Sequence, residues 1–220
     1  MWWIRFILIL IGYAFGLIQT GYFYGKITGH DLRKQGSGNT GATNALRVDG
    51  IKGGFIVFFF DALKAFIPCF AVSLIFREDA YRYVYLIYTA LGVILGNDFP
   101  FYLKFKGGKG VAATCGWAFA WNWLYTLGGL ALFFLIAFLT GFVSLASIIA
   151  SLYIIGITAV FGFVHYGAAA FTHPVFLEFF IVVCFLSFLL IFRHKGNIKR
   201  LLTGTENRFG KRGQKKPPQA

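Results

Sequence analysis

The segment GSGNTGATNALR, residues 36–47, gathers glycines, small polar residues and one arginine in a chain that is otherwise strongly apolar. Its glycines leave backbone N–H groups accessible, and its hydroxyl and amide side chains add further donors, as a phosphate oxyanion requires. Arg47 can add a two-pronged guanidinium contact to the same phosphate. We interpret the segment as an anion-binding loop; a flexible connector without a ligand is the alternative.

A second polar segment, KFKGGKG at residues 104–110, stands directly before an apolar run that begins at Val111. Its glycines allow the backbone to bend around an anion, Lys109 supplies a point charge, and the first N–H groups of a helix starting at Val111 would face the loop. The segment is not a Walker loop, because no Ser or Thr follows Lys109 to bind magnesium. Lys104 and Lys106 are equally typical of positive charge beside a bend at a membrane surface.

The third polar segment begins at Arg193 and reads RHKGNIKRLLTGTENRFG. His194 can exchange protons near neutral pH and directly follows the last long apolar stretch, so it is a candidate base. A surface histidine at a helix end is the alternative interpretation. Asn197 cannot act as a base but can orient a hydroxyl, and Glu206 is interpreted as a tether that pairs with a nearby basic residue.

Two further sets of polar residues fall within or beside apolar stretches. Asp61 and Lys64 are three residues apart, hence on one helical face, and each is the expected partner of the other. A purely structural pair and a role in the site both remain open. Ser144 and Ser147, in VSLAS, begin an apolar stretch beside the same face, where packing of small residues between helices is the alternative.

The elements that must position these residues are membrane-spanning helices. Of the 220 residues, 58% are hydrophobic and 13% are charged, and several apolar runs reach the roughly 20 residues that cross a bilayer. The block 110–140 is too long for one span and carries Trp-Asn-Trp at its centre, which is typical of an interface, so we divide it into two helices. The composition thus predicts an all-α polytopic membrane protein with about seven transmembrane helices. The other predicted spans are 2–25, 54–76, 81–97, 142–164 and 174–192.

Most of the 21 Lys and Arg residues fall in three segments, 26–53, 98–111 and the tail from Arg193. An odd number of spans places all three on one side, and the positive-inside rule makes that side the cytoplasm, with the N-terminus outside. Of the four histidines, only His30 and His194 then lie on the side of the two glycine-rich loops. The net charge of +13 is accounted for by topology, so no nucleic-acid partner is predicted.

Two negative expectations complete the reading of the residues. The sequence contains no cluster of His, Cys, Asp or Glu with metal-ligand spacing, so neither a metal nor another cofactor is predicted. The last residues, GKRGQKKPPQA at 210–220, are predicted to form a disordered basic tail near anionic lipid headgroups. We accordingly expect an integral membrane domain over residues 1–200 and a cytoplasmic tail over 201–220.

Four motifs, GSGNTGATNALR, FKGGKGVA, VSLAS and RHKGNIKRLLTGTE, resemble in order and separation those of the bacterial acyl-phosphate:glycerol-3-phosphate acyltransferases, the PlsY family. The resemblance covers nearly the whole chain. It implies a seven-helix enzyme of the bacterial inner membrane whose site faces the cytoplasm. That enzyme moves an acyl chain from acyl phosphate to the 1-hydroxyl of glycerol 3-phosphate, giving lysophosphatidic acid and phosphate, and works beside the enzyme that makes acyl phosphate and among membrane lipids.

By this resemblance the catalytic residues are Ser37, Arg47, His194 and Asn197, and Glu206 is structural. Residue patterns and resemblance together predict the following substrate-binding residues: Gly36, Gly38, Asn39, Asn44, Lys64, Lys106, Gly107, Gly108, Lys109, Gly110 and Ser144. Several positions depart from the family pattern. Asn97 replaces an expected histidine, Gly196 a glutamate, Gly141 a basic residue, and Leu17 and Gln19 a serine and a proline; none of these changes removes a catalytic residue, so we expect an active enzyme.

The chemistry agrees with these residues independently of the resemblance. Acyl phosphate is a mixed anhydride with a good leaving group, so catalysis mainly requires two phosphate groups to be held together and one hydroxyl to be oriented. His194 or a phosphate oxygen of the substrate could take the proton, and the sequence leaves both open. The competing interpretations are a transporter of an organic phosphate, for which an internal repeat and mid-membrane polar groups would be typical, and a noncatalytic lipid-binding protein.

Overall fold

The computed structural model describes residues 2–29 and 31–209, and the regular elements of this part of the chain are all helices, which confirms the predicted all-α class. Short 3-10 turns at Phe101–Leu103 and Gly167–Thr172 follow α4 and α7. His30 and the predicted disordered tail, residues 210–220, lie outside the described residues. The α-helices are α1 Trp2–Gly16, α2 Thr20–Thr28, α3 Ala42–Ile75, α4 Arg82–Asp98, α5 Val111–Trp121, α6 Trp123–Thr140, α7 Val143–Tyr166, α8 Pro174–Arg193 and α9 Lys195–Leu202.

Six helical segments of the described chain are long and apolar enough to cross a membrane. The apolar block 110–140 divides at Asn122, as predicted: α5 ends at Trp121, and the Asn122 side chain caps α6 by accepting a hydrogen bond from the Tyr125 N–H at 3.1 Å. The resulting α5 has only 11 residues, and at 1.5 Å per residue it reaches roughly 16 Å, about half of a bilayer core. The six long segments are Trp2–Thr28, Ala42–Ile75, Arg82–Leu103, Trp123–Thr140, Val143–Thr172 and Pro174–Arg193.

Helices α1 and α4 pack backbone against backbone. Gly12 and Gly16 on α1 face Gly92 and Gly96 on α4, and a Cβ atom on any of the four would lie within 2.3 Å of a backbone oxygen of the other helix. Small residues spaced by four permit this close approach in membranes, where van der Waals packing replaces the hydrophobic effect. Helix α4 is also packed against α3, α5 and α8, so it forms the buried centre of the bundle.

Helix α3 is bent at Gly50, whose φ of 71° and ψ of −164° are non-helical. The left-handed φ suits glycine, which has no Cβ to clash. The bend folds the first turns of α3 back on the next ones, so that a Cβ on Gly54 would lie 2.7 Å from the Cβ of Leu46. The turns before the bend hold Arg47 over the end of the bundle, and the long apolar part of α3 follows the bend.

Candidate active site

A cavity of about 400 Å³ lies where the two glycine-rich loops meet the α8–α9 turn. Its polar end is formed by the loops, and its apolar end continues between α3, α5, α6 and α7 past Phe58, Trp121, Tyr125 and Ile157. The cavity thus joins a positively charged opening to an apolar groove. The predicted site residues that line it are Ser37, Asn39, Asn44, Arg47, Gly108, Lys109, Gly110, Ser144, His194 and Asn197.

Asn44 organises the first loop. Its Oδ1 accepts hydrogen bonds from the Ser37 N–H at 2.7 Å and the Ser37 hydroxyl at 3.1 Å, and its Nδ2 donates to the carbonyl oxygens of Leu32 and Gln35 at 2.8 and 3.1 Å. The loop turns so closely here that a Cβ on Gly36, whose φ is +57°, would lie 2.3 Å from Asn44 Oδ1. The Asn44 side-chain amide therefore stabilises the shape of the loop. Its Oδ1 and Nδ2 are the same atoms that were predicted to contact substrate.

The second loop rests on the end of α4. The Gly107 and Gly108 N–H groups donate to the Asp98 and Asn97 carbonyl oxygens at 3.2 and 3.0 Å. A Cβ on Gly107 would lie 2.0 Å from the Asn97 oxygen, which explains the glycine there. Within the described residues, the N–H groups of Lys109 and its two successors have no hydrogen-bond acceptor. They are donors available to an anion at the start of α5.

A chain of polar contacts fixes Lys109. Its Nζ donates to Asn197 Oδ1 at 2.5 Å, and Asn197 Nδ2 donates to Glu206 Oε1 at 2.8 Å. Glu206 also accepts from the Ser144 hydroxyl at 3.0 Å and from Arg200 Nε at 2.7 Å, which confirms its predicted pairing with a basic residue. Burial lowers the pKa of Lys109 to about 8, while the charge of Glu206 acts in the opposite direction.

His194 is buried, with 3% of its surface exposed, in the turn between α8 and α9. Its Nδ1 lies 2.8 Å from the Leu190 carbonyl oxygen. Because a carbonyl only accepts, Nδ1 carries the proton and Nε2 keeps its lone pair. Burial, and next the charge of Lys109, lower the pKa of His194 to about 4. The imidazole is therefore neutral at physiological pH and can accept a hydrogen bond from a hydroxyl through Nε2.

Arg47 lies on the first turns of α3 and is exposed at the mouth of the cavity. Among residues 2–29 and 31–209 it has no hydrogen-bond or ion-pair partner. A guanidinium without a protein partner is free to bind a planar pair of phosphate oxygens. The mouth of the cavity thus presents two cations, Arg47 from one loop and Lys109 from the other.

A glycerol-3-phosphate acyltransferase family model matches residues 6–204 of the sequence. The chain belongs to this family. It is 41% identical over 208 residues to glycerol-3-phosphate acyltransferase 2 of Thermotoga maritima, covering 94% of this chain and 96% of that protein. The resemblance inferred from the motifs is confirmed.

Two solved structures of PlsY, described as an integral membrane glycerol 3-phosphate acyltransferase, are also similar. Its glycerol 3-phosphate form has a TM-score of 0.80 at 37% identity, covering 94% of this chain and 96% of that chain. Its lysophosphatidic acid form has a TM-score of 0.79 at 36% identity, covering 95% and 97%. The fold of this glycerol-3-phosphate acyltransferase family member is therefore that of a multi-pass membrane protein.

Some predicted binding residues of this glycerol-3-phosphate acyltransferase family member lie off the cavity. Lys64 forms the predicted ion pair with Asp61 at 2.6 Å, and its buried Nζ also donates to the Ile18 carbonyl oxygen at 2.7 Å and Asn97 Oδ1 at 2.8 Å. Three acceptors surround this ammonium and tie α3 to α4 and to the segment after α1, and its role in substrate binding stays a prediction. The side chain of Lys106 is exposed. The predicted residues that do not line the cavity are Gly36, Gly38, Lys64, Lys106 and Gly107.

The departures from the family pattern have local explanations. Gln19 Nε2 donates to the carbonyl oxygens of Gly16, Gly96 and Asn97 and so fastens α1 to α4. Gly141 has a φ of +78° and leaves space for Arg208, whose guanidinium lies 5.0 Å from the Phe142 ring. Arg208 thus places a basic group beside position 141, where the family pattern has a basic residue.

The remaining departures differ in what surrounds them. Gly196 is exposed, and the nearest atom to an added Cβ would be an Arg200 guanidinium nitrogen at 3.7 Å, so a longer side chain would fit there. The backbone oxygen of Leu17 accepts a hydrogen bond from the Tyr102 hydroxyl at 2.6 Å, a contact that does not depend on the Leu17 side chain.

Sequence reasoning missed Asp98 and Arg193 as parts of the site. Arg193 Nη2 donates to the Gly108 carbonyl oxygen at 2.8 Å, and its Nε lies 3.6 Å from Asp98 Oδ2. Their positions in the sequence could have indicated this role. Asp98 and Arg193 each follow a long apolar stretch and stand beside one of the polar motifs. Phe209, which lines the mouth and contacts Phe138, was also missed because it follows the last motif.

Proposed function

We propose that this protein transfers an acyl chain from acyl phosphate to the 1-hydroxyl of glycerol 3-phosphate, at the cytoplasmic face of the bacterial inner membrane. The observation that carries the proposal is the cavity itself, which joins two cationic loops to an apolar groove. Such a site suits a head with phosphate groups and a tail of hydrocarbon. Membership of the glycerol-3-phosphate acyltransferase family supports the acceptor and gives no support to a transporter.

In the proposed mechanism the two loops hold the two phosphates. Lys109, together with the unpaired N–H groups at the start of α5, holds the phosphate of glycerol 3-phosphate. Arg47 and the Ser37 loop hold the acyl phosphate, whose acyl chain lies in the groove. Binding both dianions at one mouth brings the hydroxyl close to the carbonyl carbon, which supplies the main part of the catalysis.

The reaction forms one ester bond and breaks the carbonyl–oxygen bond to phosphate. His194 orients the 1-hydroxyl by accepting its hydrogen bond through Nε2, and inorganic phosphate leaves with the electrons of the broken bond. Because burial keeps the pKa of His194 low, near 4, the imidazole is a weak final proton acceptor. The departing phosphate leaves the dianionic acyl phosphate with a third negative charge, so it is a far stronger base than the imidazole and is the better acceptor. We therefore assign His194 the orienting role and the substrate phosphate the proton.

Contacts between the loops support a cytoplasmic site with the N-terminus on the opposite side. Asn39 Nδ2 lies 3.4 Å from the Gly107 carbonyl oxygen, and Lys109 contacts Asn197, so the three basic segments share one face. An even number of crossings must then separate the second loop from α9. If the short α5 and α6 count as one crossing each, α5 to α8 make four crossings, which meets this condition and gives the proposed seven in all.

The proposed donor is tested with purified protein in detergent. Glycerol 3-phosphate is supplied with palmitoyl phosphate or with palmitoyl-CoA at matched concentration, and lysophosphatidic acid is followed. We expect product from palmitoyl phosphate and essentially none from the thioester, because a thioester gives the Arg47 loop no phosphate next to the reacting carbonyl. Comparable rates with the two donors would contradict the two-phosphate mechanism, and product from neither would contradict the proposed activity.

A further inference from the structure

Arg193, the last residue of α8, reaches away from the cavity and under the second loop. One of its terminal nitrogens, Nη2, lies 2.8 Å from the Gly108 carbonyl oxygen and 3.3 Å from those of Gly107 and Asp98. These three oxygens mark the place where α4 ends and the returning glycine loop crosses it. A single guanidinium therefore fastens the loop to α4 and both to α8.

Asp98 keeps this guanidinium in place. Its side chain is fully buried, and its Oδ2 lies 3.6 Å from Arg193 Nε while its Oδ1 accepts from Asn97 Nδ2 at 2.9 Å. Within the described part of the chain, Oδ2 has no hydrogen-bond partner, so the arginine is its main compensation. A buried carboxylate without a cation is costly, which ties the two side chains together. Phe99 covers the guanidinium with its ring at 5.0 Å.

The contact with Gly108 has a direct consequence for the next residue. In a trans peptide the C=O and the following N–H point in opposite directions. A Gly108 carbonyl turned toward Arg193 thus turns the Lys109 N–H away from it, and this N–H has no acceptor among residues 2–29 and 31–209. Gly108 and Lys109 both line the cavity. Arg193 thereby sets the direction of a backbone donor that substrate can use.

We propose that Arg193, held by Asp98, is a positioning residue that aims the donors of the glycine loop at the phosphate of glycerol 3-phosphate. The inference rests on the proposed function, because it assigns that phosphate to this loop. Asn97 extends the support, since its Oδ1 accepts from Lys64 while its Nδ2 donates to Asp98. Only a side chain that accepts and donates at once can join the two buried ion pairs in this way.

Arg193→Lys is the first test, because it keeps the charge but loses the planar set of donors that reaches several carbonyls. We expect the KM for glycerol 3-phosphate to rise about tenfold or more, as loss of a charged hydrogen bond would produce. The KM for palmitoyl phosphate should stay within about twofold, since Arg47 belongs to the other loop. A purely structural role would lower the active fraction, and with it kcat, without separating the two KM values.

Arg193→Met with and without Asp98→Asn separates folding from positioning. The single Arg193→Met variant leaves the buried Asp98 carboxylate without its cation, so its thermal stability should fall. The double variant removes that carboxylate charge and should recover the stability, while its KM for glycerol 3-phosphate stays raised. Recovery of both quantities would overturn the inference, because Arg193 would then only neutralise Asp98.

Arg82→Lys is the matched control. Arg82 is also an arginine at a helix end, where its Nε donates to Ser73 Oγ at 2.9 Å and its guanidinium lies 5.3 Å from the Tyr83 ring, but it does not line the cavity. Both KM values of this variant should match those of the unchanged protein. An unchanged KM in Arg193→Lys overturns the positioning role, whereas absence of product from the unchanged protein overturns the proposed function.

Discussion

At the residue scale, Lys109 and His194 occupy one buried polar cluster, yet Lys109 is positively charged and His194 is neutral. Burial disfavours the charged form of both, but Lys109 retains compensation from Glu206 and keeps a pKa of about 8. His194, beside that same ammonium, has its pKa lowered to about 4. One site therefore offers a cation for phosphate and a neutral acceptor for a hydroxyl at the same pH.

This difference predicts a pH profile. Lys109 loses its charge as the pH rises through about 8, so kcat/KM for glycerol 3-phosphate should fall above that value in the free enzyme. His194 is neutral at every pH above about 4, so its titration should not change kcat/KM in that range. The measurement is kcat/KM between about pH 7 and 10, where glycerol 3-phosphate, with a second pKa of about 6, is mainly a dianion.

Lys109→Arg supplies the comparison for this profile. A guanidinium with a pKa above about 12 stays charged over the whole range. The variant should start with a lower kcat/KM, because its geometry differs, but its alkaline limb should be absent or move upward. An alkaline limb at the same pH in both proteins would assign the titration to another group.

The sequence predicts which residues belong to the site better than it predicts their hydrogen-bond partners. Ser37, Arg47, Lys109, His194 and Asn197 stand in local motifs, and all five line the cavity. The partners depend on which backbone oxygens the folded bundle brings near, and no motif records that. The ammonium of Lys64 is the clearest example, because two of its three acceptors come from distant parts of the chain, Ile18 and Asn97.

At the element scale, α7 determines the length of the apolar groove. Its cavity-lining residues run from Val143 to Ile157, fourteen residues along the helix. At about 1.5 Å per residue this is roughly 20 Å, close to the length of an extended palmitoyl chain at about 1.3 Å per carbon. On the proposed binding mode, we expect a long acyl chain to run along α7 from Ser144 toward Ile157.

A bulky residue near the far end should shorten the accepted chain. Ile154 lies ten residues beyond Ser144, about 15 Å along the groove at 1.5 Å per residue. Ile154→Trp should lower kcat/KM for palmitoyl phosphate about tenfold or more relative to decanoyl phosphate, because the longer chain meets the indole. Leu152→Trp is the control, since Leu152 is 51% exposed and lies off the cavity. Equal losses for both donors in Ile154→Trp would place the chain elsewhere.

The helices themselves are predictable to different degrees. The division of α5 from α6 follows from Asn122 between two tryptophans, because an asparagine caps a helix and sits poorly in hydrocarbon. The predicted span 54–76 leaves out the first turns of α3, because residues 42–49 mix polar and apolar types and lack an apolar run. Their helix depends on the bend at Gly50 and on packing against the body of α3, which are tertiary effects.

At the scale of the whole molecule, the proposed topology predicts which surfaces face each compartment. Single-cysteine variants at Lys34, Lys199 and Glu78, all exposed positions, can be made in a chain whose native cysteines are replaced by alanine. In intact cells an impermeant maleimide should label Glu78→Cys only. All three should react once the membrane is permeabilised. Labelling of Lys199→Cys in intact cells would contradict a cytoplasmic site and the pairing of α5 with α6.

The packing of α1 on α4 shows what a whole-molecule contact adds to the sequence. Gly12 and Gly16, like Gly92 and Gly96, are spaced by four, which is a signal for close helix packing in membranes. The spacing alone does not tell which two helices pair, because several other spans also carry glycines. The folded bundle makes the choice, and α4 becomes its buried centre.

The contact between Lys109, Asn197 and Glu206 has a consequence for biogenesis. The first loop is synthesised near Ser37, whereas the carboxylate that anchors the site comes 169 residues later, at Glu206. At about 5–20 residues per second a ribosome needs roughly 10–30 seconds to cover that distance. During this time the nascent chain can bind membrane and lipid but cannot form its complete phosphate site, so acyl transfer begins only after α8 has entered the bilayer and Glu206 has been added.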